Sequence, residues 1–230
     1  EIVSRDWSSD VCSSDLSDLH LEFNKSTDFT LLFSKHATHL ILAGDIGYPD
    51  DQAWQDFMKA CAKHFRQVFY VIGNHEYYIS KRMSDVEKMI KDFFCQYENL
   101  FLLEKDVVYV LENGFKIAGC TLWSDVTERA FEFLNDGNQI FTSLYTRLTR
   151  DDYLTLHDRD KAFLKQVLDV SEKDKLILVT HHNTLLDLVD RIIVIDSGRV
   201  IAEGDPQDVV KNRTVIEAYL GEDFVDAQGF

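Results

Sequence analysis

Three short apolar runs, each ending on a polar cluster, set the frame of this chain. Residues 37–45 (ATHLILAGD), 67–76 (QVFYVIGNHE) and 175–182 (KLILVTHH) each read as a buried strand that runs into polar side chains. Between them the apolar spacing changes. Trp54, Phe57, Met58, Cys61 and Phe65 fall on one helical face and predict a helix over 51–66. Val86, Met89, Ile90, Phe93, Phe94 and Tyr97 mark a second helical stripe. Residues 99–122 read as strands with a turn at Asn113-Gly114. Residues 124–158 are weakly patterned and rich in Asp, Thr and Asn, which predicts a long surface excursion. Ala162, Phe163, Gln166 and Val167 then predict a helix over 159–169. Apolar strands alternating with helices imply an α/β layered fold, whose ligands sit beyond the carboxyl ends of the strands.

Composition narrows the classes. The chain has 230 residues, enough for one domain with its own core, and 45% apolar against 28% charged residues is an ordinary globular balance. With 24 Lys and Arg against 40 Asp and Glu, the net charge is −16. That argues against a general nucleic-acid or anionic-membrane surface. An acidic protein that handles phosphate needs local positive charge, and metal ions can supply it. No apolar run has the length of a membrane span, and no basic-then-apolar leader is seen. Cys12, Cys61, Cys95 and Cys120 lie far apart, with no C-x-x-C pair. They read as reduced, mostly core thiols, so the expected location is cytoplasmic.

The polar clusters are Asp18-Leu19-His20, Gly44-Asp45, Gly73-Asn74-His75-Glu76 and His181-His182. Carboxylate, imidazole and amide oxygen together suit Mn, Fe or Zn. An Asp-x-His pair on an extended segment would point both side chains to one side. Asp-x-His alone is ordinary surface chemistry, and Gly-Asp is common in turns. Gly-Asn-His-Glu after an apolar strand is sharper. His36, His39, His64 and His157 carry no motif and read as structural or surface residues.

In order, SDLHLEF, LAGDIG, GNHEYY and VTHH resemble the calcineurin-like metallophosphoesterase superfamily over about residues 17–182. The intervals, 25 positions from His20 to Asp45 and 29 from Asp45 to Asn74, are similar to that family's, as is GCTLWSD at 119–125. The resemblance implies a layered α/β/β/α sandwich and hydrolysis of a small-molecule phosphomonoester or phosphodiester at two divalent ions (Mn, Fe or Zn). It implies Asp18 and His20 on one ion, Asp45 bridging both, and Asn74 and His181 on the second. His75 would contact the phosphate and assist the leaving oxygen. His182 would be a neighbour or substrate contact.

Two departures accompany it. The family's Gly-His-x-His is absent, which leaves three protein ligands per ion and predicts weakened activity or a catalytically dead metal-binding domain. In its place, residues 183–223 resemble the end of an ATP-binding-cassette ATPase domain of the branched-chain amino-acid type, through DRIIVIDSGRVIAEG and VIEAYLGE. The chain has no G-x-x-x-x-G-K-[ST] loop, so a transporter-ATPase fragment would not hydrolyse ATP. A short hairpin with one or two helices, and exposed apolar surface at the join, are expected there. At the other end, residues 5–16 (RDWSSDVCSSDL) make a poor buried strand and resemble a translated sequencing adapter. The expected organisation is a foreign or disordered leader over 1–16, a phosphoesterase domain over 17–182 incomplete at both ends, and a tail over 183–230. Together the two ends imply a reading frame joined from unrelated DNA.

Overall fold

The computed structural model describes residues 2–4, 13–23, 29, 37–105, 107–111, 114–171, 175–182, 189–197 and 199–220. Residues 5–12 of the adapter-like stretch, with Cys12, lie outside these, as do His36, Asn113, 183–188 and 221–230. In chain order the first elements are β1 (Ile2–Ser4), β2 (Ser13–Leu16), β3 (His39–Ala43), α1 (Gln52–His64), β4 (Gln67–Val71) and α2 (Met83–Phe94). Next come β5 (Leu100–Leu103), β6 (Tyr109–Val110), β7 (Lys116–Cys120), α3 (Glu128–Phe133), α4 (Asp136–Gln139) and α5 (Arg150–Val170). The chain continues with β8 (Leu176–Thr180), β9 (Arg191–Asp196), β10 (Arg199–Gly204), α6 (Pro206–Val209) and α7 (Arg213–Leu220).

These elements form a mixed α/β fold with two sheets. One is four-stranded and parallel, in the order β2-β3-β4-β5. The other is six-stranded and mixed, in the order β10-β9-β1-β8-β7-β6, with only β7 and β8 parallel. Strand alternation sorts the side chains into three apolar clusters. Leu40, Leu42, Val68 and Tyr70 pack against Trp54, Phe57, Met58, Val86 and Ile90 of α1 and α2. Ile41, Ala43, Phe69 and Val71 meet Ile117, Ile177, Val179, Ile193 and Ile195 between the sheets. Leu176, Leu178, Ile192 and Val194 pack against Phe163, Leu164 and Val167 of α5.

Four expectations change. Ser13–Leu16 forms a strand despite its polar sequence, because the parallel ladder to β3 supplies backbone hydrogen bonds that require no apolar side chain; Leu16 still reaches the core. The helix expected from 159 starts at Arg150, because Thr149 and Asp152 form a capping box. The supposed surface excursion carries buried Asp136, Ile140, Leu148, Tyr153 and His157. Finally, the tail hairpin buries both faces of β9: Ile192 and Val194 on the α5 side, Ile193 and Ile195 between the sheets. Those four side chains are worth on the order of 6–12 kcal/mol of gross burial. Among the described tail residues, only Val200 is a large hydrophobic left exposed.

Candidate metal centre

All four polar clusters lie at carboxyl ends of strands. After β3 the chain turns through Gly44 (φ 93°) and Asp45 (φ 53°); after β2, Asp18 (φ 54°) and His20 (φ 45°) are also left-handed. The Asp-x-His segment is therefore not extended, contrary to the sequence expectation. It is pinned to the loop after β3 by the amides of Asp18, His20 and Leu21, which donate to the carbonyls of Gly44 (3.1 Å), Asp45 (3.1 Å) and Ile46 (2.9 Å). Three non-glycine residues held left-handed in one place carry backbone strain that the surrounding hydrogen bonds offset.

Glycine is needed twice by close approach. A Cβ on Gly44 would strike the His181 ring, and one on Gly73 would strike the Asp45 carboxylate. Glu76 ties the two loops together. Its buried carboxylate accepts from the amides of Asp45 (3.2 Å), Ile46 (2.8 Å) and Gly73 (2.9 Å) and from the Tyr70 hydroxyl (2.7 Å). Burial and the nearby Asp45 push its pKa up to about 7, with the Tyr70 and Ile46 hydrogen bonds opposing them.

Asp45 lies at the centre of the arrangement. Its carboxylate is buried and takes part in two convergent groups, Asp18–Asp45–His181 and His20–Asp45–His75, each with donor atoms within 4.8 Å of one another. Asp18 and His20 thus fall in different groups, and His75 joins His20. His181 Nε2 stands 3.3 Å from Asp45 Oδ1 and 3.1 Å from Asn74 Oδ1. His20 Nε2 is 3.9 Å from Asp45 Oδ2, and the His20 and His75 rings meet edge-on at 4.5 Å. Asp45 Oδ1 also accepts from the His75 amide at 2.9 Å. Burial opposes ionisation of Asp45, but His181 and His75 together outweigh it and hold the carboxyl well below the usual range. Burial likewise lowers the His181 imidazole, and the carboxylates of Asp45, Asp18 and Glu76 together outweigh that too, raising it to about 9.

The donor set fits a cation. His181 Nδ1 donates to the Ala43 carbonyl at 3.0 Å, which leaves Nε2 facing two oxygen acceptors. Three electron-rich atoms converge there and need a positive charge between them, either a proton or a metal ion.

Two supporting carboxylates were not singled out from the sequence. Glu22 accepts from Nδ1 of His20 (3.2 Å) and of His75 (3.4 Å), fixing both tautomers. Burial raises its pKa, yet the hydrogen bonds from those histidines bring it down to about 2. The Asp18-x-His20-x-Glu22 spacing was the available signal. Asp136 accepts from Asn74 Nδ2 at 2.9 Å and from the Tyr78 hydroxyl, which turns Asn74 Oδ1 toward His181. Nothing in the weakly patterned stretch around Asp136 announces it. His182 packs against His181 and Trp123, and its Nε2 is buried without a hydrogen-bond partner. Burial and His181 lower its pKa to about 3. His157 is a buried helix residue whose Nδ1 donates to the Trp123 carbonyl; His39 is half-buried and His64 exposed, both away from the site. Cys61 and Cys120 are buried and Cys95 is exposed. Among the described residues no helix is long and apolar enough to cross a membrane.

Comparison with known proteins gives three kinds of likeness. Residues 199–225 match the family described as branched-chain amino acid ATP-binding cassette transporter. Over 190 residues the chain is 30% identical to uncharacterized protein L509 of Acanthamoeba polyphaga mimivirus, covering 74% of this chain and 67% of that protein. It is 25% identical over 162 residues to the energy-coupling factor transporter ATP-binding protein EcfA1 of Mesomycoplasma hyopneumoniae (strain 7448), with 60% of each chain covered. The chain thus spans somewhat less than two thirds of EcfA1. Among solved structures it shares the fold of the phosphopantetheinyl hydrolase PptH of Mycobacterium tuberculosis. The TM-score is 0.54 at 19% identity, over 75% of this chain and 68% of that one.

Proposed function

We propose that this chain, which belongs to the family of the mimivirus protein L509, is a metal-dependent phosphoesterase of the metallophosphoesterase type. In this reading the two sheets and their flanking helices form an α/β/β/α sandwich built on residues 17–182, to which the segment before it contributes β1 and β2 and the 183–230 tail contributes β9 and β10. The observation that carries the reading is the Asp45 carboxylate shared by two convergent donor groups. Asp18, His181 and Asn74 would hold one divalent ion, His20 and His75 would flank the other, and Asp45 would bridge them. When bound, such a pair of ions stabilises phosphoryl charge and lowers the pKa of water.

The chain's own residues supply orientation and proton handling. Asp136 fixes the Asn74 amide, Ala43 fixes the His181 tautomer, and Glu22 fixes His20 and His75. The His75 side chain is 26% exposed, so a substrate can reach its ring. With Glu22 holding Nδ1, a proton at Nε2 passes to the leaving alkoxide oxygen as the P–O bond breaks, and Glu22 stabilises the imidazolium beforehand. The acidic surface leaves the bound ions as the local attraction for a phosphate ester.

The test is hydrolysis of a generic aryl phosphodiester with Mn²⁺, with His75→Ala as control. Turnover that falls about 100-fold or more in the variant is expected. No turnover by the folded wild-type chain would leave a catalytically inactive metal-binding domain.

A second reading rests on the match at 199–225: a fragment related to transporter ATPases. Lacking the phosphate loop, it predicts no ATP hydrolysis and no specific metal binding without nucleotide. A metal titration therefore separates the two.

A further inference from the structure

The Asp18–Asp45–His181 group brings three protein donors together, and Asn74 Oδ1, 3.1 Å from His181 Nε2, makes a fourth, two short of the six that an octahedral ion such as Mn takes. Its open side is a cavity of about 210 Å³, lined among others by Asp18, His181, His182, Ile195, Asp196 and Ala218. The last three belong to the tail: Ile195 and Asp196 end β9, and Ala218 lies on α7. Among the described residues that line it there is no lysine or arginine.

Two features of this cavity are unexplained by packing. His182 is anchored by its amide, which donates to the Thr121 carbonyl at 3.2 Å, and by its ring against His181 and Trp123. Yet its Nε2 is buried with no partner, which a histidine kept only for packing would avoid. Asp196 lines the same space immediately before Ser197, whose left-handed backbone (φ 48°) turns the hairpin. Both donors stand outside the 4.8 Å spread of the Asp18 group, so the cavity has room for an ion with water.

We propose that His182 and Asp196 complete the ligand set of the ion held by Asp18, Asp45 and His181, so that the tail is part of the metal centre. An imidazole nitrogen and a second carboxylate are the donor types that Mn, Fe and Zn accept. The buried side chain of Ile195 limits water on one side of them. The inference rests on the metal-centre reading above and assigns residues that reading does not use.

Titration of the metal-free chain with Co²⁺, followed by calorimetry and visible absorption, tests it without recourse to activity. Wild type is expected to bind two ions. His182→Gln and Asp196→Asn should each weaken one of them about 10- to 100-fold and leave the other unchanged. His182→Gln should also shift the visible bands of the weakened ion, which loss of packing alone would not do. Asp196→Glu, which keeps the carboxylate, should restore much of the affinity and serves if Asp196→Asn folds poorly. Two ions bound by both variants with wild-type affinity and spectra would overturn this inference and leave the proposed function standing. No binding by the folded wild type would overturn both.

Discussion

The two sides of Asp45 are built differently. On one side His20 and His75 are about a quarter exposed and share a single supporting carboxylate, Glu22, two positions from His20 and 53 from His75. On the other side His181 is buried and its supports come from far along the chain: the Ala43 carbonyl, and Asn74 turned by Asp136. The first side can meet a substrate, and one carboxylate orients it. The second holds its histidine more deeply buried, and its geometry depends on residues far apart in the chain. The difference teaches that a site can divide access and rigidity between two halves joined by one carboxylate.

Substitutions should expose this division, beginning with what the halves share. Gly73→Ala drives a methyl group into the Asp45 carboxylate, and Asp45→Asn removes the shared charge. Either should abolish binding at both groups and reduce phosphodiester turnover about 1000-fold, checked by metal analysis and steady-state rates. Next, His75→Ala should cut turnover about 100-fold while both ions remain. Loss of an ion in that variant would make His75 a ligand rather than the leaving-group acid.

Glu22→Gln should weaken the His20-side ion about 10-fold or more and spare the other, because it removes an acceptor common to two imidazoles. Asp136→Asn should act on the opposite side and by less, since the Asn74 amide keeps its Tyr78 partner. Equal effects of the two substitutions on both ions would erase the distinction between the halves.

Protons give the smallest signal. His181, raised to about 9, carries a proton at pH 7 that a cation at Nε2 must displace. Uptake of the ion on that side should release about one proton at pH 7 and none well above pH 9, as read by calorimetry in buffers of different ionisation enthalpy. With a folded pKa above the ordinary 6.5, His181 stabilises the metal-free chain fully below pH 6.5. That stabilisation is lost between pH 6.5 and 9, and the metal-loaded chain should not show the loss.

Much of this was legible in the sequence, for identifiable reasons. The β3, β4 and β8 runs and the α1 and α2 stripes carry strong periodicity, so their positions followed from spacing. The Gly-Asp and Gly-Asn-His-Glu clusters mark strand ends where close approach demands glycine. What escaped was decided by partners distant in sequence. Ser13–Leu16 is a strand because β3 is beside it, not because of its own side chains. The start of α5 depends on a capping box that apolar spacing does not register. Asp136 matters only because the fold brings it 62 positions back to Asn74. The left-handed turns at Asp18 and His20 follow from backbone bonds to the Gly44–Ile46 loop, which no local pattern specifies.

The central claim is that one carboxylate joins two cations, and Mn²⁺ electron paramagnetic resonance tests it most directly. At two equivalents of Mn²⁺ per chain the account predicts an exchange-coupled dinuclear signal that disappears in Asp45→Asn. Two isolated Mn²⁺ signals in the wild type, or a coupled signal that survives in Asp45→Asn, would contradict it.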